Sequence, residues 1–84
     1  MYTISISRRA LKDLKKLNSN IKRDILRKIY SIRHNPFSHI KRLQGKKLWR
    51  LRTGDYRSII DVIVKGNKII VLRIGHRKNI YNKI

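Results

Sequence analysis

Cysteine is absent from the 84-residue chain, which removes disulfides, thiolate metal ligands and a cysteine nucleophile from consideration. Acidic residues are nearly as scarce: the four are Asp13, Asp24, Asp55 and Asp61, spread over separate segments. A two-metal nuclease needs several carboxylates converging on one site, and these do not supply them. The few glycines form no phosphate-cradling loop, and no zinc-type spacing occurs, so no metal or cofactor is expected. No apolar run approaches the ~18 residues of a membrane span, and the stretch from Tyr2 to Leu14 lacks a signal-peptide core. The expectation is a cytoplasmic protein with no membrane association.

What the chain has in abundance is positive charge. Lys and Arg number 23, giving a formal charge of +19 and a pI near 11.5. Such density opposes compaction by self-repulsion, and a polyanionic partner relieves it. Disorder is excluded, because apolar residues make up 40% of the chain and fall in periodic runs. At this length one domain, residues 1–84, buries roughly 60–65% of its unfolded surface.

Tyr2, Ile4 and Ile6 alternate with polar residues and predict a short half-buried strand. Ser7 suits the N-cap of a helix carrying Ala10, Leu11, Leu14 and Leu17 on one stripe. Asn18-Ser19-Asn20 ends that helix and can cap the next, which turns Ile21, Ile25, Leu26, Ile29 and Ile32 inward and stops at Asn35-Pro36. So short a connection predicts an antiparallel helical hairpin. A helix-turn-helix DNA reader would want a turn glycine, which is missing. Residues 36–47 read as a basic loop with one apolar pair, Ile40 and Leu43.

From Leu48 the period becomes two, predicting strands at about 48–53, 56–64 and 68–76 with turns at Gly54-Asp55 and Gly66-Asn67. The fold class is therefore α+β: a short N-terminal strand, the helical hairpin, a three-stranded antiparallel meander and a short C-terminal segment. Trp49 and Leu51, then Ile60, Val62 and Val64, then Ile70, Leu72 and Ile74 are expected to face the helices. Alternation then places Arg50, Arg52, Arg57, Ile59, Asp61, Arg73 and Arg77 on the opposite face, provided no bulge shifts the parity.

Arg42-Leu43-Gln44-Gly45 followed by Leu48-Trp49-Arg50-Leu51-Arg52-Thr53-Gly54-Asp55-Tyr56-Arg57 resembles the L-x-G … R-x-G-D-Y-R core of RelE/ParE toxins. Ile74-Gly75-His76-Arg77 with Tyr81 resembles their terminal v-G-h-R … Y, and the order of elements agrees along essentially the whole chain. The resemblance implies a ribosome-dependent endonuclease that cuts mRNA in the decoding site, neutralised by an acidic, RelB-like antitoxin. It implies attack of a ribose 2′-hydroxyl on the adjacent phosphate, leaving a 2′,3′-cyclic phosphate and a 5′-hydroxyl. By position Arg57 would stabilise the phosphoryl oxygens, Arg77 the leaving oxygen, and Arg50 would orient the backbone or support the base. Arginine suits these places because its planar fork stays cationic and grips phosphate with paired donors. Tyr81 would be the general base or a stacking partner for a nucleobase; a tyrosine base at neutral pH needs a dense positive field.

Other basic residues are expected to bind RNA or ribosome: Arg52, Arg73, Lys46 and Lys47 around the sheet, and Lys15, Lys16 and Lys28 on the helices. Each also has a plain structural reading, as a solvated charge or a stem packed on neighbours. Asp61 is expected to pair with a nearby arginine, and Tyr56, His76 and Trp49 to be structural. His34 and His39 read as surface loop residues. Two other functions stay open: a ParE-type inhibitor of DNA gyrase on the same fold, and a non-catalytic RNA- or ribosome-binding protein.

Overall fold

The computed structural model describes residues 1–84 and turns the periodic segments into two helices and five strands. In chain order these are β1 (Thr3–Ile6), α1 (Arg8–Lys15), α2 (Ser19–Ser31), β2 (Lys41–Arg42), β3 (Trp49–Thr53), β4 (Tyr56–Ile63) and β5 (Lys68–His76). Single 3₁₀ turns follow at Pro36–Ser38 and Ile80–Lys83. Ser7 caps α1 as expected, its Oγ accepting the Ala10 N–H at 3.1 Å. Asn18 does the same for α2, accepting the Ile21 N–H at 3.0 Å. The second helix ends at Ser31, earlier than Asn35-Pro36. Ser31 Oγ and Arg33 Nε take the Lys28 and Tyr30 carbonyls at 2.7 and 2.9 Å, so side chains close the last turn before the proline is reached.

The sheet order is β1-β5-β4-β3-β2. The meander β3–β4–β5 is antiparallel as expected, and its strand limits fall close to the expected ones. The whole sheet is mixed, because β1 joins β5 in parallel after the helical hairpin carries the chain across. The extra strand β2 lies inside what reads as a basic loop, and pairs Lys41 with Arg50 and Arg42 with Trp49. Two residues are too few to show alternation.

The helices lay Ala10, Leu14, Ile25 and Ile29 on the sheet, against Leu51, Ile60, Ile69, Val71 and Ile74. The expectation that Ile70 and Leu72 face the helices is corrected by a bulge. Ile59 pairs with Arg73 but Ile60 pairs with Val71, so Leu72 is left without a partner and the parity upstream of it reverses. The carbonyl of Leu72 instead accepts the Ser7 hydroxyl at 2.9 Å, which ties the start of α1 to the bulge. Leu11 and Val64, also expected inside, are exposed. Val64 lies past the end of β4.

A second, smaller apolar cluster forms on the far face of the sheet. Ile59 and Leu43 are buried there under Ile80 of the C-terminal turn, with Leu48 and Ile84 alongside. Gly75 permits this: a Cβ there would stand 3.0 Å from Ile80 Cδ1. The C-terminal turn thus packs onto the face that carries the arginines.

Candidate nucleic-acid site

On β3, Arg50 and Arg52 flank the fully buried Leu51, so both leave the sheet on the side opposite the helices. Register brings further cations beside them. Lys41 lies opposite Arg50 and Arg57 lies opposite Arg52. Like charges directly opposed across strands are destabilising, so two such pairs in adjacent ladders are a cost that the fold itself does not need. With Arg77, Tyr81 and His39 these four residues line a cavity of about 300 Å³ that contains no carboxylate.

Several contacts fix this arrangement. Arg57 Nη1 donates to the carbonyls of Gly54 and Tyr56, both at 2.9 Å, and its Nε and Nη2 have no protein partner. The turn that offers those carbonyls depends on Gly54, whose φ is +59°. Arg77 follows β5, and its N–H donates to the Asp55 carbonyl at 2.7 Å. Its guanidinium stands 3.7 Å from the Asp55 carboxylate with both groups exposed, a pair worth little in water and easily given up to a phosphate. Tyr81 comes from the C-terminal turn, where Ile80 is buried beneath it, and its hydroxyl accepts from Arg50 Nη1 at 3.3 Å. Arg50 and Tyr81 also form one wall of an adjoining cavity of about 360 Å³, completed by Leu43, Gln44, Lys46 and Ile84.

The residues singled out in the sequence divide into three groups. Arg50, Arg52, Arg57, Arg77 and Tyr81 come together in the first cavity, with Lys46 in the second and Lys47 exposed on the neighbouring 42–47 turn. Lys15, Lys16 and Lys28 sit on the helices, across the sheet from this cluster. Arg73 does not join it. Its Nε and Nη2 donate to Asp13 of α1 at 3.0 and 3.3 Å, because β5 lies two strands from β3 and, past the end of β1, forms an open sheet edge beside α1. Lys41 and His39 line the cavity although nothing in the sequence marks them beyond a basic loop.

Asp13, not Asp61, is the carboxylate that pairs inside the fold. Past the end of β1 that edge of β5 has no strand neighbour, and Asp13 accepts the Ile74 N–H there at 2.9 Å. Lys83 of the C-terminal turn approaches the same carboxylate at 3.8 Å. Burial pushes the Asp13 carboxyl up, but the Arg73 hydrogen bond, the Ile74 N–H and the charges of Arg73 and Lys83 outweigh it and leave it below the usual value. The same hydrogen bond raises Arg73. Asp61 makes no ion pair. Tyr56 and His76 meet edge to face at 5.5 Å, and Trp49 packs against Phe37 at 5.2 Å with Arg42 over its ring.

The family profile described as the ParE toxin of type II toxin–antitoxin systems matches residues 4–81. This chain belongs to the RelE/ParE superfamily of toxins. The toxin is 30% identical to the toxin of a RelB–RelE complex from Methanococcus jannaschii, with 95% of this chain and 98% of that one covered and a TM-score of 0.73. An archaeal RelE–RelB complex from Pyrococcus horikoshii matches at 28% identity and a TM-score of 0.77, covering 90% of this chain and 94% of that one. The toxin–antitoxin complex RelBE2 from Mycobacterium tuberculosis shares the fold at a TM-score of 0.82 and 24% identity, covering 90% and 98%. Comparison with curated proteins gives no match. No helix of the toxin is long and apolar enough to cross a membrane.

Proposed function

We propose that the toxin is a ribosome-dependent mRNA endonuclease held inactive by an acidic antitoxin. The observation that carries this reading is the cavity that Lys41, Arg50, Arg52, Arg57 and Arg77 line together with Tyr81, without a carboxylate among them. Such a site is built for a phosphodiester. The free Nε and Nη2 of Arg57 grip the phosphoryl oxygens as charge grows on them in the transition state. Tyr81, acting as the phenolate with its oxygen held by Arg50, takes the proton of the ribose 2′-hydroxyl as that oxygen attacks phosphorus. The bond to the 5′-oxygen breaks, and Arg77 neutralises the leaving oxygen while it takes a proton from solvent. The products are a 2′,3′-cyclic phosphate and a 5′-hydroxyl.

The ribosome's part is positioning. A tyrosine base without a metal is slow unless the phosphate and 2′-hydroxyl are presented in line, which the decoding site does for the codon. Lys15, Lys16 and Lys28, on the far side of the sheet, serve association with ribosomal RNA rather than chemistry. The matched Methanococcus jannaschii and Pyrococcus horikoshii structures are toxin–antitoxin complexes, and a charge of +19 supports an acidic antitoxin here that covers basic surface and displaces the C-terminal segment. Single-turnover incubation with ribosomes carrying a vacant decoding site tests the reading. Rapid cutting of the presented codon is expected, with negligible cutting of the same RNA free in solution, and efficient cutting of free RNA would overturn it. The ParE profile match favours a second reading, inhibition of DNA gyrase by binding. In that case supercoiling by purified gyrase falls and the mRNA stays whole.

A further inference from the structure

The adjoining cavity differs in character from the phosphate site. Leu43, Tyr81 and Ile84 give it apolar walls, whereas six of the seven residues around the arginine cavity are polar. The Arg50–Tyr81 hydrogen bond is the partition between the two. A nucleotide has the matching composition: an anion at one end, and at the other a flat ring with apolar faces and a hydrogen-bonding edge. Gln44 is the one neutral amide at this wall, exposed and with neither its donor nor its acceptor engaged in the protein.

Its placement is also fixed. Leu43 N–H donates to the Leu48 carbonyl at 2.9 Å, and Lys46 N–H returns to the Leu43 carbonyl at 3.3 Å. Arg42 Nε closes the turn on the Lys46 carbonyl at 3.2 Å, and Gly45 supplies the positive φ of +76° that the reversal needs. The buried Leu43 side chain anchors this loop in the second apolar cluster. The Leu-x-Gly resemblance assigns no role to the middle position, which Gln44 occupies.

Resting on the endonuclease reading, we propose that the adjoining cavity seats the nucleobase beside the scissile phosphate and that Gln44 is the residue that reads its edge. The carboxamide presents a donor and an acceptor side by side, the pattern that pairs with a base edge through two bonds. The cations around it hold phosphate whatever the sequence, so base preference falls to Gln44.

The test is binding without cleavage. Four short RNAs, 2′-O-methylated throughout and differing only in one central base, are titrated into the full-length toxin at low salt and followed by fluorescence anisotropy. The affinities are expected to spread by about fivefold or more, the lower end of what one paired amide–base contact gives. Gln44→Ala should lower affinity for the favoured base alone and collapse the spread, whereas Lys41→Ala should weaken all four and leave the spread in place. In methyl NMR, a mononucleotide should shift the Leu43 and Ile84 signals and inorganic phosphate should not. No spread in the wild type, or an undiminished spread in Gln44→Ala, overturns the proposal, as does binding that leaves both methyls unmoved. Because none of these measurements needs a cut, the endonuclease reading can fail while the base site stands, and the reverse.

Discussion

Replacing Asp13 by Asn tests how the fold holds its C-terminal turn beside the arginines. The substitution keeps the shape and one acceptor oxygen. It removes the negative charge facing Arg73 Nε at 3.0 Å, Arg73 Nη2 at 3.3 Å and Lys83 Nζ at 3.8 Å. Hydrogen bonds to charged groups contribute about 1.5–3 kcal/mol each, and the partial exposure of Arg73 trims that, so a loss of about 2–3 kcal/mol is expected. Against a total of about 4–12 kcal/mol for a chain of this length the change is large. It corresponds to a fall in Tm of roughly 10–20 °C. Urea unfolding of Asp13→Asn and its parent, both in an Arg57→Ala background that permits expression, gives the number. The pH dependence supplies the sign. The folded pKa of Asp13 lies below its unfolded value, so its contribution is present above about pH 4 and is lost as the pH falls through the folded pKa. The two proteins should therefore converge in acid. A gap at pH 7 below about 0.5 kcal/mol, the scatter usual for surface changes, would refute the reasoning, and so would a gap that persists unchanged at low pH.

Further outcomes follow from the site. Arg57→Ala should lower the single-turnover rate on ribosomes by about 10²–10³ while ribosome affinity stays nearly constant, and Arg57→Lys should rescue only in part because a point charge lacks the fork. Tyr81→Phe should slow the chemical step if the hydroxyl is the base, whereas a stacking role leaves Phe near wild type and Ala defective; single-turnover rates of both variants decide. Gly75→Ala places a Cβ 3.0 Å from Ile80 Cδ1, so it should speed tryptic cleavage after Lys78 and reduce activity with a Tm change of only a few degrees. Lys28→Ala should weaken ribosome association and spare the step after binding, which separate binding and rate measurements will show. Affinity for free RNA should fall with salt at a log–log slope of about −0.7 per phosphate neutralised, read from a titration series.

Much of this was legible because periodicity and turn residues spoke together. Gly54-Asp55 and Gly66-Asn67 bracket β4 in the sequence as they do in the fold, and Ser7 and Asn18 announce the helix starts. Alternation from Leu51 outward was enough to bring Arg50, Arg52 and Arg57 to one face. It failed on β5, where a single unpaired residue, Leu72, reversed the inward set to Ile69 and Val71. The bulge carries a tertiary bond, from the Ser7 hydroxyl to the Leu72 carbonyl, which local pattern does not encode. Arg73 looks like its neighbours because alternation gives a face and not a place in the strand order, and its partner Asp13 lies 60 residues away in sequence. Lys41 is missed because a two-residue strand has no period, and only pairing with β3 carries it to the site, with His39 just ahead of it after the Pro36–Ser38 turn.

The most direct test of the central claim is to map 5′-hydroxyl RNA ends across all transcripts shortly after induction of the toxin in cells, with Arg57→Ala as the control. Endonuclease action predicts new ends within translated codons, in the reading frame, accompanied by 2′,3′-cyclic phosphates and absent both from untranslated RNA and from the Arg57→Ala control. Growth arrest with intact mRNA and gyrase trapped on DNA would contradict it.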